Sequence, residues 1–215
     1  MGSPTKANHA EASASFPVAL NLVSRKCVLI GSAPETAMRA RQFVDAGAAL
    51  QVISESPDSA LLAAAAEGAF LLHVRAHSLS DLAGTWLVVL TDQSSNLAAT
   101  LAAQCESQSV FFCAVDQPDY SSFGHVAVAR AGTLWAAVGT SGRAPALASR
   151  LRQELQRVFD ESGLARIVEQ FVALREQTAP PLRRTTMLSR AKHVSLTGQI
   201  TDTVAPSDTS AISGK

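Results

Sequence analysis

The amino-acid sequence predicts an α/β fold: a Rossmann-like, doubly wound parallel sheet, followed by a β-hairpin and a small helical C-terminal domain. Three observations carry this expectation. Short apolar runs alternate with segments of helical period as far as residue 115, the pattern of βα units whose sheet is covered on both faces. The first run ends at Gly31, just ahead of a helical segment, so the chain turns sharply where a strand feeds a helix. After Ser121 the alternation stops, and two short apolar runs around Ala131-Gly132 lead into arginine-containing helical segments, which calls for a hairpin and helices.

Cys27–Ile30 is continuously apolar, as a strand buried on both faces must be. Pro34 suits a helix start, where its fixed φ and missing N–H cost nothing. Ala33, Ala37, Ala40 and Val44 recur at helical spacing and form one apolar stripe. Gly47 suits the left-handed position that closes a helix. Leu50–Ile53 resumes the sheet, and Glu55 follows at its carboxyl end.

A βαβ unit whose first turn lies at a helix N-terminus can receive a dinucleotide pyrophosphate. The turn reads Gly31-Ser32-Ala33-Pro34-Glu35-Thr36, against the usual Gly-x-Gly-x-x-Gly/Ala. Ala33 therefore stands where a glycine lets the backbone approach phosphate. Glu55 follows Gly31 at about the twenty-residue spacing of the acidic residue that binds a ribose hydroxyl. A plain βαβ unit without a ligand fits the same residues.

Further along, Ser59–Glu67 is alanine-rich and predicts a short helix, and Phe70–Val74 a strand. Ser78–Leu82 predicts a short helical turn, with Ser78 as N-cap and Asp81 three residues on. Trp86–Leu90 is an apolar strand ending at Thr91-Asp92, Asn96–Cys105 a helix, and Val110–Val115 the last strand of the series. Asp116 then stands at a carboxyl strand end, where open α/β sheets bind ligands. A carboxylate there can act as a general base, or can be a turn former that bonds nearby backbone N–H groups.

Gly124–Ala131 and Thr133–Val138 form the hairpin. Pro145 opens a long helix with Leu147, Leu151, Leu155 and Val158 inward. Ala165–Thr178 is a second helix, with Ile167, Phe171 and Leu174 inward, and Leu182–His193 a third, basic one after Pro180-Pro181. Phe16–Leu22 is expected against the sheet edge. The resulting division is a disordered tail (1–15), a nucleotide-binding domain (16–118), the hairpin (119–143), a helical domain (144–194) and a second disordered tail (195–215).

Composition narrows the function classes. The 215 residues carry no net charge, but residues 1–142 hold seven Lys/Arg against eleven Asp/Glu, whereas 143–192 hold ten against five. A basic C-terminal part suits an anionic ligand or a solvated helix surface. No basic–aromatic stripe points to nucleic acid. No apolar run approaches the about 20 residues of a membrane helix, and the N-terminus lacks the apolar core of a secretory signal. The three cysteines, Cys27, Cys105 and Cys113, are isolated, which suits buried thiols in a reducing cytoplasm. The histidines have no metal-site spacing. His125, just after the Asp116 loop, is the one to test as a metal ligand, and a hairpin surface histidine is the commoner reading.

The segments VLIGSAPETAMRARQFVDAGAALQVISES, WLVVLTDQSSN, VFFCAVDQPDYSSF and LWAAVGTSGRAPALASRLRQELQ resemble, in order and spacing, the dehydrogenase–ferrochelatase domain of siroheme synthase, also found as stand-alone precorrin-2 dehydrogenases. The resemblance covers about Phe16 to Lys192. It implies oxidation of precorrin-2 to sirohydrochlorin with NAD as hydride acceptor, and in many members insertion of ferrous iron to give siroheme. It further implies that Asp116 is the carboxylate of both steps and that Gly31, Ser32, Ala33, Pro34 and Glu35 contact the pyrophosphate. By the same likeness Ser54, Glu55 and Ser56 contact the adenosine ribose, and Thr91 and Asp92 line the cofactor cleft. The hairpin would build a homodimer and the basic helices another wall of the cleft. Arg143, Arg150, Arg183 and Arg184 are the candidates there for the carboxylates of the tetrapyrrole. Glu55 would repel a ribose phosphate, favouring NAD over NADP.

The sequence departs from the family pattern at Ala33, Cys113-Ala114, Val126 and Arg143-Ala144. Those departures keep open a second reading, a non-catalytic dimeric relative that binds a tetrapyrrole or nucleotide as a partner or sensor. A third is a different NAD-linked regulatory module on a similar sheet.

Overall fold

A computed structural model describes residues 16–197. The expected tail at 1–15 and most of that at 195–215 lie outside them. The first strands and helices follow the predicted order: β1 (Lys26–Ile30), α1 (Thr36–Asp45), β2 (Ala49–Ser54), α2 (Ser59–Ala66), β3 (Leu71–Val74), β4 (Leu87–Leu90), α3 (Ser95–Ser107) and β5 (Phe111–Ala114). These strands form one sheet in the order β3-β2-β1-β4-β5, and every pairing is parallel. The chain thus starts in the middle of the sheet, builds outward to β3, then crosses β1 to build β4 and β5. That reversal leaves the carboxyl ends of β1 and β4 side by side, with Ile30 paired to Leu90, the place where such sheets open a crevice.

The central strands are buried throughout: Val28, Leu29, Val88, Val89 and Leu90 are each 0% exposed. Because side chains alternate across a strand, two apolar layers result. Cys27, Leu29, Val52, Leu87 and Val89 meet Ala37, Ala40 and Phe43 of α1 and Leu61 of α2 on one face. Val28, Ile30, Ile53, Val88 and Leu90 meet Ala98, Leu101 and Cys105 of α3 on the other. The outer edge of β5 is covered by the loop that follows it. Ser122 N–H donates to Phe112 O at 2.8 Å, and Phe112 and Ala114 donate to the hydroxyls of Ser122 and Ser121 at 2.9 and 3.0 Å. An edge strand dressed in this way offers little template for a foreign strand.

Several local expectations need correction. α1 begins at Thr36, not at Pro34, so Ala33 lies in the turn and off the stripe. The buried face of the helix is Thr36, Ala37, Ala40 and Phe43. Phe16–Leu22 adopts no regular structure, and only Leu22 packs on the core, while Phe16, Val18 and Leu20 are exposed. Trp86 lies outside β4, under the guanidinium of Arg25 at 3.9 Å. The Ser78 turn forms as expected, a short 3-10 helix with a complete capping box between Ser78 and Asp81.

The hairpin pairs β6 (Ala127–Ala131) with β7 (Leu134–Val138) through Gly132, whose φ of +59° suits glycine. The helices are α4 (Pro145–Glu161), α5 (Leu164–Gln177) and α6 (Arg183–Ala191). Contacts divide the chain into two compact units. One runs through Val128 and includes Ala137–Gln153; the other comprises Ala129–Ala136 and the chain from Glu154 onward. In the second unit Ala129 and Ala131 of β6 pack with Phe159, Leu155 and Leu164, and Gln156 bonds both the N–H and the carbonyl of Arg130 at 2.9 Å. In α4 the buried positions are Ala148 and Phe159, whereas Leu147 of the expected stripe is exposed. Among the described residues no helix is long and apolar enough to cross a membrane.

Candidate functional site

The turn after β1 is pressed against the end of β4. Gly31 has φ +138°, and a Cβ there would overlap the Thr91 hydroxyl and come within 2.8 Å of Asp92 Oδ1. Glycine is therefore demanded by contact as well as by conformation. Directly after it, Ser32 N–H donates to Asp92 Oδ1 at 2.7 Å, so a backbone amide of this turn already faces a carboxylate. Underneath, the Thr36 and Thr91 hydroxyls bond to each other at 2.7 Å in a fully buried position.

β2 contributes the second wall. Its last residue, Ser54, is buried, and its hydroxyl lies 2.8 Å from that of Ser32. Ser56 N–H donates to the same Ser32 hydroxyl at 3.3 Å. Glu55 lies between these contacts and is exposed. Gly31, Ser32, Ser54, Ser56, Thr91 and Asp92, predicted from three separate stretches, are thus brought together at one strand edge. Ala33, Pro34 and Glu35 continue the turn into α1.

The N-terminus of α1 also fits an anionic group. Its cap residue, Glu35, makes no side-chain capping hydrogen bond, and the first turn holds no acidic residue. The amides at a helix start need acceptors, and an uncapped start preceded by a glycine turn offers them to phosphate. The Ala33 methyl and the missing Pro34 N–H limit how many amides this turn can offer.

Asp116 follows β5 with φ +58°, a left-handed backbone that Asp tolerates better than most residues. It is exposed, and among the described residues its carboxylate accepts no hydrogen bond. Two glutamines lock its loop to the neighbouring strand end. Gln117 Nε2 donates to Asp92 O and Gln93 Nε2 to Val115 O, each at 3.1 Å. Nothing in the sequence singles out these glutamines, whose role depends on β4 and β5 being neighbours.

Arg39 is a further residue missed by sequence reasoning. It lies at helical spacing from Thr36 and Phe43, so an arginine on the buried stripe was the available signal. Its Nε is buried without an acceptor. Its charge is felt at Cys113 and at His125. Burial raises the Cys113 thiol pKa, with the Ser121 hydrogen bond and then Arg39 opposing the shift and Asp116 reinforcing it. His125 keeps exposed surface but sets its ring against Phe123 at 5.5 Å. Loss of water around the ring, then Arg39, push its imidazole down to about 4. Among the described residues no group of three or more His, Cys, Asp or Glu could hold a metal ion.

The four arginines divide between the units. Arg143 is exposed in the turn before α4, where its N–H donates to Thr140 O at 3.0 Å, and Arg150 is exposed on α4. In the second unit Arg183 and Arg184 line a cavity of about 550 Å³ with Arg175, Pro180, Met187 and Leu188, and Arg183 Nε donates to Thr178 O at 3.0 Å. Arg175 was not anticipated there.

Residues 18–136 match the family model described as "Putative NAD(P)-binding". Siroheme synthase 2 of Serratia proteamaculans is 33% identical over 147 residues, covering 68% of this chain and 31% of that protein. Siroheme synthase 1 of Aeromonas salmonicida is 29% identical over 146 residues, with 68% and 31% covered. The chain spans about a third of the length of these curated relatives. Among solved structures, that titled "SirC, precorrin-2 dehydrogenase" superposes with a TM-score of 0.65 at 17% identity, over 81% of this chain and 88% of that one. At that identity the likeness is one of fold.

Proposed function

The chain belongs to the family of NAD(P)-binding domains shared by siroheme synthases and precorrin-2 dehydrogenase, and from this premise we propose that it is an NAD-dependent dehydrogenase converting precorrin-2 to sirohydrochlorin. The observation that carries this reading is the chain of contacts at one strand edge. Ser32 of the glycine turn bonds Asp92, and Asp92 bonds Gln117, the neighbour of Asp116. A carboxylate with no protein partner is thereby held at the same edge as the turn suited to pyrophosphate.

When bound, the nicotinamide accepts a hydride, that is, one ring hydrogen with its electron pair. The protein must then remove one proton from the substrate, and Asp116 is the group placed to take it as general base. In the turn from Gly31 to Glu35 the amides left for the pyrophosphate are those of Ala33 and Glu35, because the Gly31 and Ser32 N–H groups are engaged by Ile53 O and Asp92 and Pro34 has none. Glu55, exposed beyond Ser54, accepts hydrogen bonds from a ribose diol and repels a ribose phosphate, which selects NAD over NADP. Thr91 and Asp92 fix the floor of the cleft. Arg143, Arg150, Arg183 and Arg184 serve substrate carboxylates as guanidinium forks. With the same base, ferrous iron as a second substrate could displace the pyrrole N–H protons, giving siroheme. The exposed Leu134 and Trp135 of β7 suit a homodimer contact.

The test is turnover. Protein supplied with precorrin-2 and NAD should develop the absorbance of sirohydrochlorin, and NADP should serve poorly. Absence of turnover by folded wild-type protein overturns the proposal. The Ala33 methyl favours one competing reading, a non-catalytic tetrapyrrole-binding relative, which predicts tetrapyrrole affinity without NAD affinity.

A further inference from the structure

We propose that Arg39 is a substrate-anchoring residue, whose guanidinium holds one carboxylate of the tetrapyrrole next to Asp116. The inference rests on the function proposed above and adds a residue to which the sequence reading gave no role.

Several other arginines have partners. Arg25 covers Trp86, Arg41 pairs with Glu67 and Arg75 with Asp81, Arg157 pairs with Glu154 and Glu161, and Arg183 bonds Thr178. Arg39 differs: its Nε is buried with no acceptor, and among the described residues its side chain forms no ion pair. A buried donor left unmet costs roughly 1–3 kcal/mol, more when charged, and an arriving anion removes that penalty.

The location favours a ring carboxylate over a cofactor phosphate. The pyrophosphate turn ends at Glu35, before α1 begins, whereas Arg39 lies one turn inside the helix. Helical side chains lean toward the helix N-terminus, which carries the guanidinium toward the carboxyl edge of the sheet. There α1, through Ala37 and Ala40, packs in one cluster with Cys113 and Val115, which lead directly into Asp116, and with Phe123 beyond that loop. Arg39 and Asp116 thus lie at the same edge of the sheet, and the charge of Arg39 reaches Cys113 and His125. A planar fork of donors matches a carboxylate.

The experiment measures sirohydrochlorin affinity of the full chain without cofactor, by quenching of protein fluorescence, with NAD affinity measured separately. Arg39→Met should weaken sirohydrochlorin binding by roughly tenfold or more, the worth of a charged hydrogen bond, and leave NAD affinity within about twofold. Arg39→Gln keeps a polar head in the same space and should show the same loss if Arg39→Met proves unstable; circular dichroism verifies that each variant is folded. Unchanged sirohydrochlorin affinity in a folded variant overturns the inference alone, as does loss of NAD affinity in its place. If the wild-type protein binds no sirohydrochlorin, the proposed function fails and the inference fails with it.

Discussion

The backbone N–H of Ser32 donates to the carboxylate of Asp92 at 2.7 Å, which ties the turn after β1 to the end of β4. The contact requires the two loops to touch, and Gly31 permits it: a Cβ there would overlap Thr91 and crowd Asp92. Gly31→Ala should lower stability by about 3 kcal/mol or more, combining positive-φ strain with overpacking. Gly84→Ala is the control. Gly84 has φ +68° but nothing within 4 Å of the added methyl, so only the left-handed strain of about 1 kcal/mol applies. Urea unfolding of the two variants should separate them clearly.

Beneath that contact the Thr36 and Thr91 hydroxyls bond to each other in a fully buried site. Thr91→Val strands the Thr36 hydroxyl and should cost about 1–3 kcal/mol. Removing both hydroxyls leaves no orphan, so the double variant Thr36→Val/Thr91→Val should be less destabilised than the sum of the singles, by about 1 kcal/mol. Strict additivity in urea unfolding would show that the pair is not coupled.

After β3, Asp81 accepts both Arg75 nitrogens, at 2.6 and 2.8 Å, and the Ser78 N–H at 2.7 Å. The Arg75 guanidinium, helped by Ser78, holds the Asp81 carboxyl well below the usual carboxylate range. A pKa lowered by folding means that the contribution of Asp81 is whole above the unfolded value of about 4. It is lost as pH falls from there toward the folded value. Wild-type stability should therefore fall more steeply below about pH 4 than that of Asp81→Asn, which should be less stable at neutral pH. Parallel stability–pH curves would contradict this.

The parallel sheet was legible because its central strands are buried on both faces, so Cys27–Ile30 and Leu87–Leu90 read as unbroken apolar runs in a chain of polar turns. Turn residues at strand ends were equally legible: Gly31, Thr91-Asp92 and Asp116 follow directly from where those runs stop. What stayed hidden depends on which strands are neighbours. Gln93 and Gln117 become a latch only because β4 pairs with β5, and Arg39 becomes a site residue only because α1 overlooks the Cys113 end of β5. The start of α1 was misplaced since Pro34 is as acceptable in a turn as at a first helical position. The start of the α4 stripe was misread because alanine packs as well as leucine: Ala148 is buried and Leu147 is not.

Asp116 joins a strained backbone to the chemistry proposed for it, and the two can be separated. At φ +58° an ordinary residue loses about 1 kcal/mol, whereas Asn and Gly adopt this region readily. Asp116→Asn should therefore match wild-type stability within about 0.5 kcal/mol, Asp116→Gly should be equal or slightly more stable, and Asp116→Ala should lose about 1 kcal/mol. All three remove the base, so formation of sirohydrochlorin should fall by roughly a hundredfold or more in each. The informative variant is Asp116→Asn, with shape and backbone kept and only the ability to take a proton removed. Near-normal turnover by that variant would assign Asp116 to the turn and send the search for the base elsewhere along this strand edge.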